Sequence, residues 1–488
     1  MNKTKFASLL LAATMSISAL SACGEKTPAN TTATEAVTTV EISEEFTPAN
    51  AKYNDEFVLL VSGKDPNSNV DFKDFSNIDA SERSTLDEAV YKKNAAVEEL
   101  YGIDIELVED MGGSNTGLTK IYTSVMSGTA DYDAAVIGAY DAVPLATSDS
   151  LYELSNLPGI NLDNSWWDQK ANSDLAISGC IFYTTGDISF WDDMQQHVIG
   201  FNKQVKKDLN IEDDFYEIVA DGAWTHEALA SYAKLATEDL NSDGSMDMSD
   251  KFGIITWDDS VYAIFGGSGE KVVTVDKSGN MNLTLTGSER IVDVLSSYTD
   301  ICFGGDAINY QRYTAQEAIT MFSTNRALFF LGRLQSLDNY RDMETDYGIL
   351  PYPKYDAAQE DYHTAASPYH MTFICAPASI DNPEMTGNVL EALSYYGKEY
   401  TTPAYYEKTL TGQYFRDEDS METLELMAAT RAYDLGLYVQ PGDINKELIF
   451  LFREGSKNFA STFDSKKSAA EASLTEIGEA YAKAAAQW

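Results

Sequence analysis

Between Asp239 and Asp250 the chain reads Asp239-Leu-Asn241-Ser-Asp243-Gly244-Ser245-Met246-Asp247-Met248-Ser249-Asp250. Oxygen-bearing side chains fall at positions 1, 3, 5, 9 and 12 of this run, with glycine at 6 and an apolar residue at 8. A hard cation takes six or more oxygens from a chain that turns sharply at such a glycine, so the spacing is that of an EF-hand calcium loop. The expected ligands are Asp239, Asn241, Asp243, the backbone carbonyl of Ser245 and Asp250, with Asp247 acting through a water. Asp250 stands where a longer glutamate is usual, which shortens the bidentate reach and lowers affinity. All ligands come from protein and water, so the Ca²⁺ expected here is structural rather than catalytic.

Other chemistries find little support. The chain has no GxSxG and no HExxH, and His197, His226, His363 and His370 lie on separate segments without a plausible nucleophile beside them. The pair Asp192-Asp193 has the residue types of glycosidase carboxylates, but among 77 acidic residues such pairs arise from composition alone. Gly112-Gly113 and Gly266-Gly267 lack the spacing of a phosphate-binding loop. With 34 basic residues the formal charge is −43, the wrong sign for contacts to a nucleic-acid backbone, so no nucleic-acid partner is expected. Cys180, Cys302 and Cys375 are widely spaced and fit neither a disulfide framework nor a CxxC metal site. They read as buried small apolar residues, with a bridge between two of them left open.

The elements that position these residues begin after an address segment. Lys3 and Lys5 precede the uncharged apolar run Phe6 to Leu20, too short to span a membrane, which marks an export signal over residues 1–22. Its end, Leu20-Ser21-Ala22-Cys23-Gly24, resembles the lipobox of bacterial lipoproteins. That resemblance implies acylation of Cys23, palmitate included, and a mature chain anchored by lipid outside the cytoplasmic membrane. Residues 23–50 are rich in Thr, Ala, Glu, Pro and Asn and read as a flexible tether, with a reach of about 30 Å at ~5–6 Å × √n. Losing residues 1–22 removes Lys3 and Lys5 and no acid, so −43 becomes −45. Anionic lipid repels such a body, and the acyl anchor is what holds it at the membrane.

The body reads as α/β. Phe57 to Val61 is a short apolar strand, and the capping box beginning at Thr85 opens a helix whose face is Leu86, Val90, Val97 and Leu100 until Gly102 stops it. Strands at 103–108 and 132–139 alternate with a helix through Met126, the grammar of a right-handed parallel sheet. Further on, the expected strands are 181–185, 252–257, 327–331, 347–353 and 369–376, with a hairpin at 272–285. Helices are expected around 203–209, from Thr225, at 288–298 and 316–324, and in a tail including 383–396 and 421–433.

Three passages carry a closer likeness. Gly222-Ala-Trp224-Thr225 followed by the calcium-like loop, Ala327-Leu-Phe-Phe-Leu-Gly332, and Gly348-Ile-Leu-Pro351-Tyr-Pro353 resemble segments of the sugar-type extracellular solute-binding lipoproteins (family 1-like) of ABC importers in Gram-positive bacteria. Asp381-Asn382-Pro383-Glu384 fits as well. The resemblance implies a two-lobed periplasmic-binding-protein-like fold of class II type, each lobe an open mainly parallel sheet flanked by helices, with extra C-terminal helices. It implies an N-terminal lobe of 51–160 and about 290–375, and a C-terminal lobe of about 161–289 and 376–488 carrying the calcium loop. It implies a monomer that is not an enzyme, closes on a solute, most fittingly an oligosaccharide, and delivers it to permease subunits at the outer face of the membrane. A secreted glycan-active hydrolase and a calcium-dependent surface attachment protein are the alternatives.

In open α/β sheets ligands sit beyond the carboxyl ends of the strands. That rule, with sugar recognition by aromatic faces and planar polar groups, selects Asp65, Tyr140, Asp141, Trp166, Asp187, Trp191, Trp257 and Arg333.

Overall fold

The computed structural model describes residues 45–62, 74–76, 78–110, 116–276, 279–309, 312–406 and 417–487. The export signal, Cys23, most of the tether, Asp65 and the glycine pair at 112–113 lie outside the described residues.

Among the described residues the strands are β1 (Glu56–Val61), β2 (Asp104–Glu109), β3 (Ala134–Gly138), β4 (His197–Asn202), β5 (Phe252–Thr256), β6 (Val273–Val275), β7 (Met281–Leu283), β8 (Ala307–Asn309), β9 (Ala327–Arg333), β10 (Tyr347–Leu350) and β11 (Thr372–Cys375). Helices that matter below are α1 (Thr85–Tyr101), α2 (Thr116–Ser127), α3 (Ala139–Thr147), α4 (His226–Ala236), α5 (Ser260–Gly267), α6 (Pro383–Tyr396), α7 (Glu418–Ala429) and α8 (Leu435–Val439).

Two main sheets result. The first has the order β11-β3-β1-β2, with β1 parallel to β2 and β3 and β11 antiparallel to β3. The second has the order β10-β4-β9-β5-β8, parallel across β9-β5-β8 and antiparallel on either side of β4. β4 and β5 are buried at every residue, as is β3 up to Ile137. That accounts for their continuous apolar runs, since helices cover both faces of such sheets. Local signals set the helix ends. Ser84 rather than Thr85 caps α1: its hydroxyl accepts from Asp87 N and the Asp87 carboxylate accepts from Ser84 N, while Gly102 closes the helix at φ 63°. On the second sheet, α4 packs so closely that a Cβ at Gly253 would lie 2.2 Å from the Ala233 carbonyl oxygen.

Two expectations are corrected. Residues 181–185 form no strand, because Ile181 N donates to the Glu153 carboxylate and Leu154 N to the Ile181 carbonyl, leaving one bridge, Thr184 with Ile374. The division into lobes also differs. β8, β9 and β10 lie within 290–375 yet pair with β4 and β5. α6 packs against α1 beside the first sheet rather than the second. β8 and β9 continue the parallel series begun by β5 through crossover helices, the short connection a right-handed α/β sheet favours over a return to the other lobe.

The chain passes between the sheets several times. Residues 185–196 link the Thr184 bridge to β4, and 351–371 link β10 to β11. Residues 430–434 link α7, packed on β10, to α8, packed on α3. Phe46 stacks on Tyr395 with centroids 4.3 Å apart and meets Trp166 edge-on at 6.0 Å, so the segment expected to be free tether is docked on the first lobe by that residue.

Candidate functional site

Beyond β5 the chain turns through Trp257, Asp258 and Asp259 into α5. Asp259 is half-buried, and its carboxylate accepts from the Ser367 hydroxyl at 3.3 Å across the 351–371 passage. Tyr140, immediately beyond β3 of the first sheet, meets Tyr369 edge-on at 5.7 Å, and Tyr369 meets Tyr262 of α5 at 6.2 Å. Three aromatic rings thus run from one sheet to the other beside the Asp258 and Asp259 carboxylates. Tyr369 stays 45% exposed, a large ring face open to a ligand.

The electrostatics centre on Asp259. Burial raises the Tyr140, Tyr262 and Tyr352 phenols far above their ordinary range, and the Asp259 charge raises each further. These hydroxyls therefore remain donors at any physiological pH. Burial pushes His197 down to about 4, Asp259 opposing and Arg333 adding, so this imidazole is neutral. Burial likewise lowers Arg333, which the Asp259 charge counteracts. Arg333, at the end of β9, donates to the Gln195 side-chain oxygen. Gln195 Nε2, Gln196 Oε1 and the Tyr352 hydroxyl are buried without a hydrogen-bond partner among the described residues. Arg453 is held away by Asp258, through Nε at 2.7 Å and Nη2. The arrangement offers the open ring of Tyr369 and the half-buried Tyr140, Asp259 and Arg333, with Tyr262 and Tyr352 buried behind them, which suits an uncharged polyhydroxylated molecule better than a phosphate or other anion.

The structure gathers Tyr140, Trp257 and Arg333 of the expected residues; Trp257 stands edge-on to Tyr313 at 5.5 Å. Trp191 is 5% exposed and donates Nε1 to the His370 carbonyl at 2.7 Å, bracing the passage that carries Tyr369. Asp141 turns inward: it is fully buried, accepts Leu118 N at 3.1 Å at the start of α2, and burial pushes it up to about 7. Gly117 permits this approach, since a Cβ there would lie 2.3 Å from Ser62 Oγ. Trp166 is 1% exposed and donates Nε1 to Glu391 at 3.1 Å, so it presents no face for stacking. Asp187 accepts from Thr402 Oγ1 at 2.6 Å and borders a separate cavity of about 330 Å³. Another cavity, of about 510 Å³, lies at the opposite end of β5 and β8, lined by His226, Ala233 and Asp306 among others.

Sequence reasoning missed Asp259, Tyr262 and Tyr369. The strand-end rule reached Trp257 and Asp258 and stopped one residue short of Asp259. Nothing local marks Tyr369, which becomes a site residue only through its neighbours on β3 and α5.

In the loop expected to bind calcium, Asp239 accepts from Ser242 N at 2.7 Å and Gly244 N at 2.9 Å, Asn241 from Asp243 N at 2.8 Å and Asp243 from Ser245 N at 2.8 Å. Asp250 is fully buried and accepts from Leu240 N and Asp247 N. Gly244 makes the sharp turn at φ 81°. These carboxylates are directed at the loop's own amides. Among the described residues no three His, Cys, Asp or Glu side chains gather to hold a metal ion. Cys180, Cys302 and Cys375 are free thiols, the last two buried, which closes the question of a bridge.

No protein-family model matches the chain, and no curated protein matches it in sequence. Solved structures do match. The galacto-N-biose/lacto-N-biose I-binding protein of an ABC transporter from Bifidobacterium longum is 12% identical, with 87% of this chain and 98% of that chain covered and a TM-score of 0.56. An ABC substrate-binding protein from Listeria monocytogenes, in complex with cycloalternan, is 13% identical over 85% and 98% of the two chains at 0.55. The GacH receptor of Streptomyces glaucescens, also solved with acarbose, is 11% identical over 89% and 99% at 0.52. With two α/β lobes joined by crossing segments and near-complete coverage of each of these structures, the chain has the fold of the ABC-transporter solute-binding proteins.

Proposed function

We propose that this chain is a solute-binding protein of an ABC transporter, capturing an oligosaccharide between its two lobes and delivering it to the permease without making or breaking a bond. The observation that carries the reading is the row Tyr140, Tyr369 and Tyr262 beside Asp259, set between the carboxyl ends of β3 and β5. The exposed Tyr369 ring and the half-buried Tyr140 offer aromatic surface to sugar rings, and the buried Tyr262 backs them. The structures of like fold are described with cycloalternan, lacto-N-biose and acarbose, which supports the carbohydrate class. Anchoring by acylated Cys23 at the outer face of a Gram-positive membrane, and action as a monomer, belong to the same proposal; the Leu20-to-Gly24 motif and the acidity of the chain support them.

A thermal-shift screen of mono- and oligosaccharides, peptides and nucleotides against residues 45–488 tests the reading, because ligand raises stability by RT ln(1 + [L]/Kd). A shift with an oligosaccharide is expected. A shift with a peptide and none with any sugar would overturn the carbohydrate class, and glycan turnover by the same sample would favour the hydrolase. Structural calcium at 239–250 is a separate proposal resting on the residue series and the turn at Gly244.

A further inference from the structure

Away from the tyrosine row, Arg431 stands where the passages between the sheets converge. Its Nη1 donates to Asp192 at 3.0 Å and to Asp168 at 3.2 Å, and its Nη2 to Asp193. Asp192 and Asp193 belong to the 185–196 passage, and Arg431 itself bridges to Thr364 on the 351–371 passage. Asp168 caps the helix Gln169–Leu175, its other oxygen accepting from Lys170 N and Ala171 N. These residues, with Asp187, border the cavity of about 330 Å³.

The charges do not balance. Asp168, Asp192 and Asp193 face one guanidinium. Asp187 borders the same cavity with the Lys398 ammonium near it, Lys170 pairs with Asp174, and Asp74, facing Asp192 from behind, is near the buried Lys93. The remaining neighbours, Tyr405, Tyr406 and Tyr433, are neutral phenols. Asp192 is 2% exposed, and its Oδ1 has no hydrogen-bond partner among the described residues. An ionised carboxylate with one oxygen bare in the interior is neutralised by a cation or a proton. The one cation in contact, Arg431, is shared among three carboxylates and reaches only the other oxygen of Asp192, which leaves the proton.

We propose that Asp192 is a proton-binding site at the crossing of the interlobe segments, distinct from the ligand site. The proton exchanges with solvent through the adjacent cavity. Burial first, then the Asp193 charge, raise the Asp192 carboxyl well above its usual range, with Arg431 opposing and Asp168 and Asp74 adding. For a carboxyl raised in the folded state, the stabilisation is complete at low pH and is lost as pH rises through the folded value. Ionisation then places an uncompensated charge where the passages meet and loosens their packing.

The test compares melting temperature for wild type and Asp192→Asn, whose amide stays neutral, from about pH 5 to about pH 9. Wild type is expected to lose melting temperature toward the alkaline end more steeply than Asp192→Asn. Infrared spectra over the same range should show a protonated-carboxyl band that persists above the ordinary carboxylate range and that the variant lacks. Parallel pH profiles with no difference band would overturn the proposal. If Asp192→Asn fails to fold, Asp193→Asn serves: losing the neighbouring charge should move the midpoint of that band to lower pH, and an unmoved midpoint overturns the proposal. A pH profile that changes with chelator in wild type but not in Asp192→Asn would make a metal ion the occupant, which also overturns it.

Discussion

Glu391 on α6 is the clearest place to test whether Trp166 is core or ligand surface. The carboxylate is 5% exposed and accepts four hydrogen bonds: from Asn161 N at 3.1 Å, Trp166 Nε1 at 3.1 Å, Trp167 Nε1 at 2.8 Å and the Asn164 amide. Glu391→Leu leaves all four donors buried without an acceptor. At about 1 kcal/mol each, the low end for orphaned buried donors since some relaxation follows, the loss is about 4 kcal/mol. Unfolding entropy of about 2.1 cal/mol/K per residue over about 440 residues is about 0.9 kcal/mol/K, so the melting temperature should fall by about 4 °C. Glu391→Gln keeps one acceptor oxygen but turns an amide NH₂ toward two of the donors, and should lose about half as much. Urea and thermal melts give the stability, and titration with the sugar found by the screen gives the affinity, which should not change. A stability loss under about 1 kcal/mol together with weakened sugar binding would refute the reasoning and return Trp166 to the ligand site.

Asp259→Asn removes a charged acceptor that, among the described residues, takes a side-chain hydrogen bond from Ser367, so it should weaken sugar binding about tenfold, near 1.4 kcal/mol; an unaltered Kd would remove Asp259 from the site. Tyr369→Ala should cost about 0.5–1.5 kcal/mol of binding through lost ring contact, read by the same titration. Burial holds His197 at about 4 and His226 at about 3. Their neutral forms therefore stabilise the fold fully above the ordinary value near 6.5, and this is lost as pH falls toward those values. A His197→Gln, His226→Gln pair should show a flatter melting profile over that acid window, and a profile as steep as wild type counts against the assignment. Calcium at 239–250 predicts a higher melting temperature with calcium than with chelator; equal values would sink the loop as a metal site.

Much of the fold was readable because its signals are short in range. The αL glycine at 102, a capping box read one residue late at Thr85 where Ser84 caps, and the apolar runs of β1, β3, β5 and β9 act through hydrogen bonds and burial within a few residues. The failure at 181–185 was also physical: an apolar run promises a strand, but the Glu153 carboxylate took the amide that a ladder would have used. Trp166 failed as a site residue for a similar reason, since its polar handle met a buried carboxylate more than two hundred positions away.

The sequence by itself determined the α/β class, most strands and helices and the burial of Cys302 and Cys375, though not of the half-buried Cys180, and it pointed to Tyr140, Trp257 and Arg333, which the fold brings near Asp259. Only the tertiary structure decided which strands share a sheet, and that Tyr140, Tyr369, Tyr262 and Asp259 converge while Asp141 and Trp166 turn inward. Periodicity and capping fix the state of a segment from its own residues. Which distant segment it meets is set by the packing of whole sheets and by the passages that join them, and no local pattern carries that information.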